Sequence, residues 1–155
     1  MDIRYINIYN NLIDLTRNKE LYVDFKKQDI FSDRLIFFLL HFAFFLKTFK
    51  TDENKKILQE IYDYLFRQLE LSIREIGYGD QSINKKMKDY INLLHSMIDK
   101  IHNWENLKKD EKSFIISKFV LNTENFTFLV DYFDNFRQKL LNNTLNSYIK
   151  GVVNQ

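Results

Sequence analysis

The sequence has no cysteine and no proline, and its 155 residues include three glycines and a single alanine, Ala43. The lack of cysteine excludes a disulfide framework, thiolate metal ligands and cysteine nucleophiles together. With no proline and so little glycine there are few chain breakers, whereas an all-β fold of this length would need many more turn residues. Helices joined by short polar turns are therefore expected. An excess of one charge is also lacking: 23 basic residues face 21 acidic ones, a formal net charge of +2. That balance is too even for a protein that depends on bulk attraction to phosphate, so any basic binding surface has to be local. No apolar run approaches the ~20 residues that span a bilayer. The first residues show no apolar stretch behind a basic start, so no signal peptide is expected and a cytoplasmic location is the default.

What is present fits a globular chain: 45% hydrophobic and 28% charged residues, with fifteen phenylalanines and nine tyrosines. We expect one domain over residues 1–155, long enough to bury about 70% of the surface its unfolded chain would expose. The most apolar stretch, Leu35 to Leu46, reads as a buried central helix, with Ser32 or Asp33 as its cap and Lys47 and Lys50 at its carboxyl end. Upstream, Ile6, Tyr9, Leu12, Ile13 and Thr16 mark a surface amphipathic helix, and Leu21, Tyr22 and Phe25 a shorter one. From Thr51 or Asp52, the stripe Leu58, Ile61, Tyr62, Leu65, Leu69, Ile73 and Ile76 gives a helix of about six turns. Gly77-Tyr78-Gly79-Asp80 ends it. Ser82 is the expected cap of the next helix, whose apolar face is Ile83, Met87, Tyr90, Ile91, Leu94, Ile98 and Ile101. Two long helices meeting at one tight loop form an antiparallel hairpin. Beyond Trp104 and a polar connection, Phe114, Ile115, Phe119 and Leu121 carry one helix, and Phe126, Leu129, Val130, Phe133, Phe136, Leu140 and Leu141 another, before a polar tail with Tyr148, Ile149 and Gly151. The expected fold is all-α: a single bundle of about six to eight helices, with a central apolar helix and a long antiparallel helical hairpin.

The densest constellation is Arg74-Glu75-Ile76-Gly77-Tyr78-Gly79-Asp80, leading into Lys85-Lys86-Met87-Lys88. Read structurally, it is a helix end and a helix start with a solvated lysine cluster. A phosphate cradle would need a preceding strand and a Gly-Lys-Ser/Thr ending, and both are missing. His95 and His102, seven apart, share a helix face, and His41 sits in the apolar helix. Their ordinary reading is satisfied core or boundary histidines, since no HExxH or paired ligand spacing accompanies them. Glu60, Asp63, Glu70 and Glu75 interleave with Arg67 and Arg74 as surface ion pairs do. Without a nucleophile and base motif, no enzyme is expected, nor any catalytic residue, cofactor or metal.

The same block resembles the signature of the ubiquinol-cytochrome c chaperone family, in which Arg-Glu-Met-Gly-Val-Gly-Asp precedes Val-Pro-Lys-x-Met-Lys. Arg74, Glu75, Gly77, Gly79, Asp80, Lys85, Met87 and Lys88 match it position by position. Asp33-Arg34 before Leu40-His41, Tyr62-Asp63 with Phe66, and Leu129 to Tyr132 extend the resemblance over roughly residues 10 to 152. Asn84 stands where the family has proline, Ile76 where it has methionine, and Leu94-His95-Ser96 where an aromatic-Gly-Arg element is usual. The resemblance implies an assembly chaperone, of the bacterial type, that binds newly made cytochrome b and promotes assembly of the ubiquinol-cytochrome c reductase complex. Its implied partners are cytochrome b or its nascent chain, with room for a small partner protein, the ribosome and peripheral contact with the inner face of the cytoplasmic membrane. Arg74, Glu75, Tyr78, Asp80, Lys85, Met87 and Lys88 become the candidate partner-binding residues, with Gly77 and Gly79 as structural turn residues. The alternative from residues alone is a small ribosome- or RNA-associated bundle using Lys85, Lys86, Lys88 and the Lys108-Lys109 pair. No specific nucleic acid is expected under the first reading.

Overall fold

The computed structural model describes residues 3–26 and 31–154. Among these described residues seven α-helices follow in order: α1 (Ile6–Thr16), α2 (Phe31–Phe49), α3 (Lys55–Glu75), α4 (Asp80–Lys100), α5 (Lys109–Phe119), α6 (Phe126–Leu141) and α7 (Leu145–Lys150). Short 3-10 turns lie at Lys19–Tyr22 and Trp104–Asn106, and there is no strand among the described residues. The all-helical bundle, its central apolar helix and its long α3–α4 hairpin are as the sequence implies.

Helix α2 is the axis of the bundle. Leu35 and every residue from Phe37 to Phe45 are buried, because α1, α4 and α6 all pack on it. Phe42 reaches α3, with its ring centroid 6.5 Å from Tyr62 and 6.4 Å from Phe66. Phe44 lies between Trp104, edge-on at 5.1 Å, and Phe133, stacked at 5.2 Å. Such offset and edge contacts suit the ring quadrupole and add to the area term. No helix among the described residues is long and apolar enough to cross a membrane.

His41 is fully enclosed in this core. Its Nδ1 lies 2.6 Å from the Phe37 carbonyl, and its Nε2 2.6 Å from the Tyr132 hydroxyl. Donation from Nδ1 to the carbonyl leaves Nε2 to accept the tyrosine proton, so the neutral ring is satisfied at both ends. Burial lowers its pKa to about 4 and raises that of Tyr132.

Several local expectations shift. Ser32 and Asp33 fall inside the first turn of α2 rather than capping it; Asp33 accepts instead from Asn122 at 3.0 Å. The buried line of α1 is Ile8, Leu12 and Thr16, because α1 packs on both α2 and α7; Ile6, Tyr9 and Ile13 are only half-buried. Thr16 tolerates burial by donating to the Leu12 carbonyl at 2.7 Å. The following segment is a 3-10 turn capped by Asn18, with Phe25 beyond it. Helix α3 begins after Asn54, whose N–H donates to Thr51 Oγ1 at 3.1 Å. Phe66 joins its buried stripe, whereas Ile76, past the helix end, is 55% exposed. Gly79, not Ser82, is the N-cap of α4. Met97 is buried there, and nothing between Ile83 and Leu94 is fully buried. On α5 the buried residues are Ile116 and Phe119, with Phe114 and Leu121 exposed; Leu141 is exposed at the end of α6. The polar tail is helix α7, started by a Thr144–Ser147 capping box and ended by Gly151 at φ +75°. Its Tyr148 packs on Phe45 and Phe49.

Candidate functional site

The tip of the α3–α4 hairpin is built by a change of backbone sign. Helix α3 stops at Glu75, and Gly77 turns the chain with φ +105° while its N–H donates to the Arg74 carbonyl at 3.0 Å. A residue with a Cβ is strained there, although no neighbour blocks the space. Gly79 has φ −75° and ψ 163°, an extended conformation open to any residue. Of the two glycines, Gly77 is the one whose conformation needs glycine.

Side-chain contacts of Arg74 and Lys86 brace the tip. Arg74 Nη1 meets Asp80 Oδ1 at 2.6 Å, joining the end of α3 to the first turn of α4, and Glu70 stands 3.9 Å from the same guanidinium. The hydrogen bond from Arg74 to Asp80 pushes the already high arginine pKa further up. Lys86 Nζ rests 4.5 Å above the Tyr78 ring, a cation–π contact. Arg74, Tyr78 and Asp80 therefore have partners within the tip. Glu75, Lys85 and Lys88 are exposed and, among the described residues, enter no ion pair. Lys85 and Lys88, three apart, are neighbours on one helix face, with Met87 half-buried between them in sequence.

Beside the tip lies a groove of about 640 Å³ between α1, α2 and the end of α3. Tyr9, Ile13, Leu35, Phe38, Leu69 and Ile76 give it apolar walls, and the Tyr9 hydroxyl stands 3.2 Å from Ser72 Oγ. Periodicity assigns Ile76 to the core stripe, but α3 ends at Glu75, and Ile76, its C-cap, is exposed and borders this groove instead. Three elements build the groove, so no single stretch of sequence announces it.

The remaining candidates do not gather at the tip. The Lys108-Lys109 pair lies past the far end of α4, a 21-residue helix about 30 Å long, and Lys109 is paired with Asp131 at 2.9 Å. The two lysine clusters thus do not form one basic surface. His41 belongs to the core. His95 and His102 line a different groove, at the other end of the hairpin. No group of three His, Cys, Asp or Glu side chains able to hold a metal occurs among the described residues.

The tertiary arrangement is shared with a solved structure. The chain aligns with the crystal structure of the Cbp3 homolog from Brucella abortus at a TM-score of 0.78, with 19% identity over 97% of this chain and 87% of that one. The sequence is more specific than the fold: the model of the ubiquinol-cytochrome C chaperone family matches residues 23–100, half of the chain, and the protein belongs to that family. The matched region contains α2, α3, the tip and α4. This is a chaperone family, not a family of enzymes. No curated protein matches the sequence significantly.

Proposed function

We propose that this protein is an assembly chaperone that binds newly made cytochrome b, or a partner of it, and promotes assembly of the ubiquinol-cytochrome c reductase complex. The observation that carries this reading is the family match, which includes the charged hairpin tip. The tip and the neighbouring groove supply complementary chemistry. Lys85 and Lys88 offer unpaired positive charge, and the groove bordered by Ile76 and Phe38 offers apolar walls to a segment of an apolar client. A groove between helices suits an amphipathic or membrane-destined helix, since its walls replace the surface that a folded partner later covers. In this reading the Arg74–Asp80 pair holds the tip in shape, and Lys85 and Lys88 make the contact.

The test is the double variant Lys85→Glu with Lys88→Glu, expressed at wild-type abundance. Both residues are exposed, so the thermal midpoint should stay at the wild-type value while cytochrome b accumulation falls and client capture weakens. Normal cytochrome b levels in cells carrying only that variant would leave the tip with its turn and nothing more.

A further inference from the structure

A second groove, of about 930 Å³, opens at the far end of the α3–α4 hairpin, where α2 stops and α3 begins. Its floor is apolar, formed by Leu46 of α2, Leu58 and Tyr62 of α3 and Ile98 of α4. Its rim is basic: Lys50 and Lys55 at the α2–α3 corner, His95 on α4 and His102 in the turn just past the end of α4, against the single acid Asp52. Among the described residues neither lysine enters an ion pair. His95 Nε2 lies 3.5 Å from the Tyr62 hydroxyl.

Spacing decides what this rim can hold. Lys55 and Tyr62, seven residues apart on α3, line the groove over about 10 Å at 1.5 Å per residue, and His95 stands beside Tyr62. One carboxylate or phosphate headgroup cannot serve both Lys55 and His95, and a flat bilayer cannot reach the floor around Leu58 between them. An occupant has to be extended, apolar on the side facing the floor, and acidic at a repeat near two helical turns. From this we infer that the groove receives an acidic amphipathic helix of a partner protein, whose apolar stripe lies on Leu46, Leu58 and Ile98 and whose carboxylates meet Lys50, Lys55, His95 and His102. Asp52 opposes such a helix and tunes its affinity downward. The site shares no residue with the tip and does not rest on the chaperone reading, so either can fail without the other.

The probe is a synthetic fourteen-residue helix with leucines on one stripe and glutamates seven apart beside it, compared with the same peptide carrying lysine for glutamate. The glutamate peptide should shift the ring resonances of Tyr62, His95 and His102. Lys50→Glu with Lys55→Glu should raise its Kd about tenfold while leaving the melting curve unchanged, and Asp52→Asn should lower the Kd severalfold. Equal binding of the lysine peptide, resonance shifts confined to other surfaces, or an unchanged Kd in the folded double variant would each overturn the proposal. Flotation with phosphatidylglycerol vesicles that requires Lys50 and Lys55, with no peptide binding, would overturn it in favour of a lipid.

Discussion

The core stretch of α2 and the tip of the α3–α4 hairpin lie in the same family-matched half of the chain, yet different physics holds them. From Phe37 to Phe45 every side chain is buried and each phenylalanine has several neighbours, so the structure there rests on redundant apolar contact. From Arg74 to Lys88 only Ile83 is buried, and the tip itself is held by one left-handed glycine, the ion pairs of Arg74 with Asp80 and Glu70, and one cation–π contact. An exposed pair contributes at most about 1 kcal/mol and often nothing measurable. Stability therefore does not explain the charge at the tip, while it fully explains the aromatic residues of α2. A residue in the first region is answerable to packing; one in the second is free to serve a partner.

The largest effect that would sharpen this contrast is Phe44→Ala. Phe44 is fully buried between Trp104 and Phe133, and emptying such a site costs about 3–5 kcal/mol. A fall in the thermal midpoint of roughly 10 °C is expected, at ~2–4 °C per kcal/mol for a chain of this size; a drop of only a degree or two would mean that the aromatic stack is not the anchor it looks to be.

The next effect is set by pH. His41 has a folded pKa of about 4, below the ordinary value near 6.5. The unfolded chain takes up the proton more readily, so the stability from neutral His41 is complete above about pH 6.5 and is lost as pH falls toward 4. A gap of that size corresponds to about 3 kcal/mol. Melting curves between pH 7 and 4 should show a steeper loss for the wild type than for His41→Gln, which cannot titrate; parallel slopes would remove the histidine from the acid response.

At the tip the expected changes are smaller. Gly77→Val should cost about 1–2 kcal/mol because of its positive φ, whereas Gly79→Ala, in extended backbone with open space around it, should melt as the wild type does. Equal effects at the two glycines would show that the turn is not controlled at Gly77. Smallest of all is Arg74→Ala, which should leave the midpoint unchanged while loosening the Asp80 side of the tip, visible as faster amide exchange at the start of α4. Unchanged exchange would leave the 2.6 Å pair without any role in ordering the tip.

How much of this was legible depends on how local each signal is. The 3.6-residue period placed every long helix, because an amphipathic stripe is written in consecutive turns of one segment. Helix ends were less legible: Asn54 and Gly79 begin α3 and α4, although Thr51, Asp52 and Ser82 have equally good capping chemistry, because the loop path decides which residue leaves helical geometry. Helix α7 was missed since its six residues carry too few apolar positions to show a period, and its burial comes from Phe45 and Phe49, about a hundred residues away. The candidate block around Gly77 was legible as a string. Its division into bracing residues, Arg74, Tyr78 and Asp80, and outward ones, Lys85 and Lys88, was not.

By itself the sequence determined the class of the fold, the identity of the central helix and the position of the hairpin turn, because hydrophobic period, chain breakers and φ preference act within a few residues. Only the tertiary structure decided that Ile76 lines a groove instead of the core, that His41 finds Tyr132, and that Lys50, Lys55, His95 and His102 share one rim. Those relations join residues separated by 33 to 91 positions in the two hydrogen bonds that show them, Tyr62 to His95 and His41 to Tyr132. No local preference encodes such a meeting; it follows from how helices with apolar faces on several sides settle against one another.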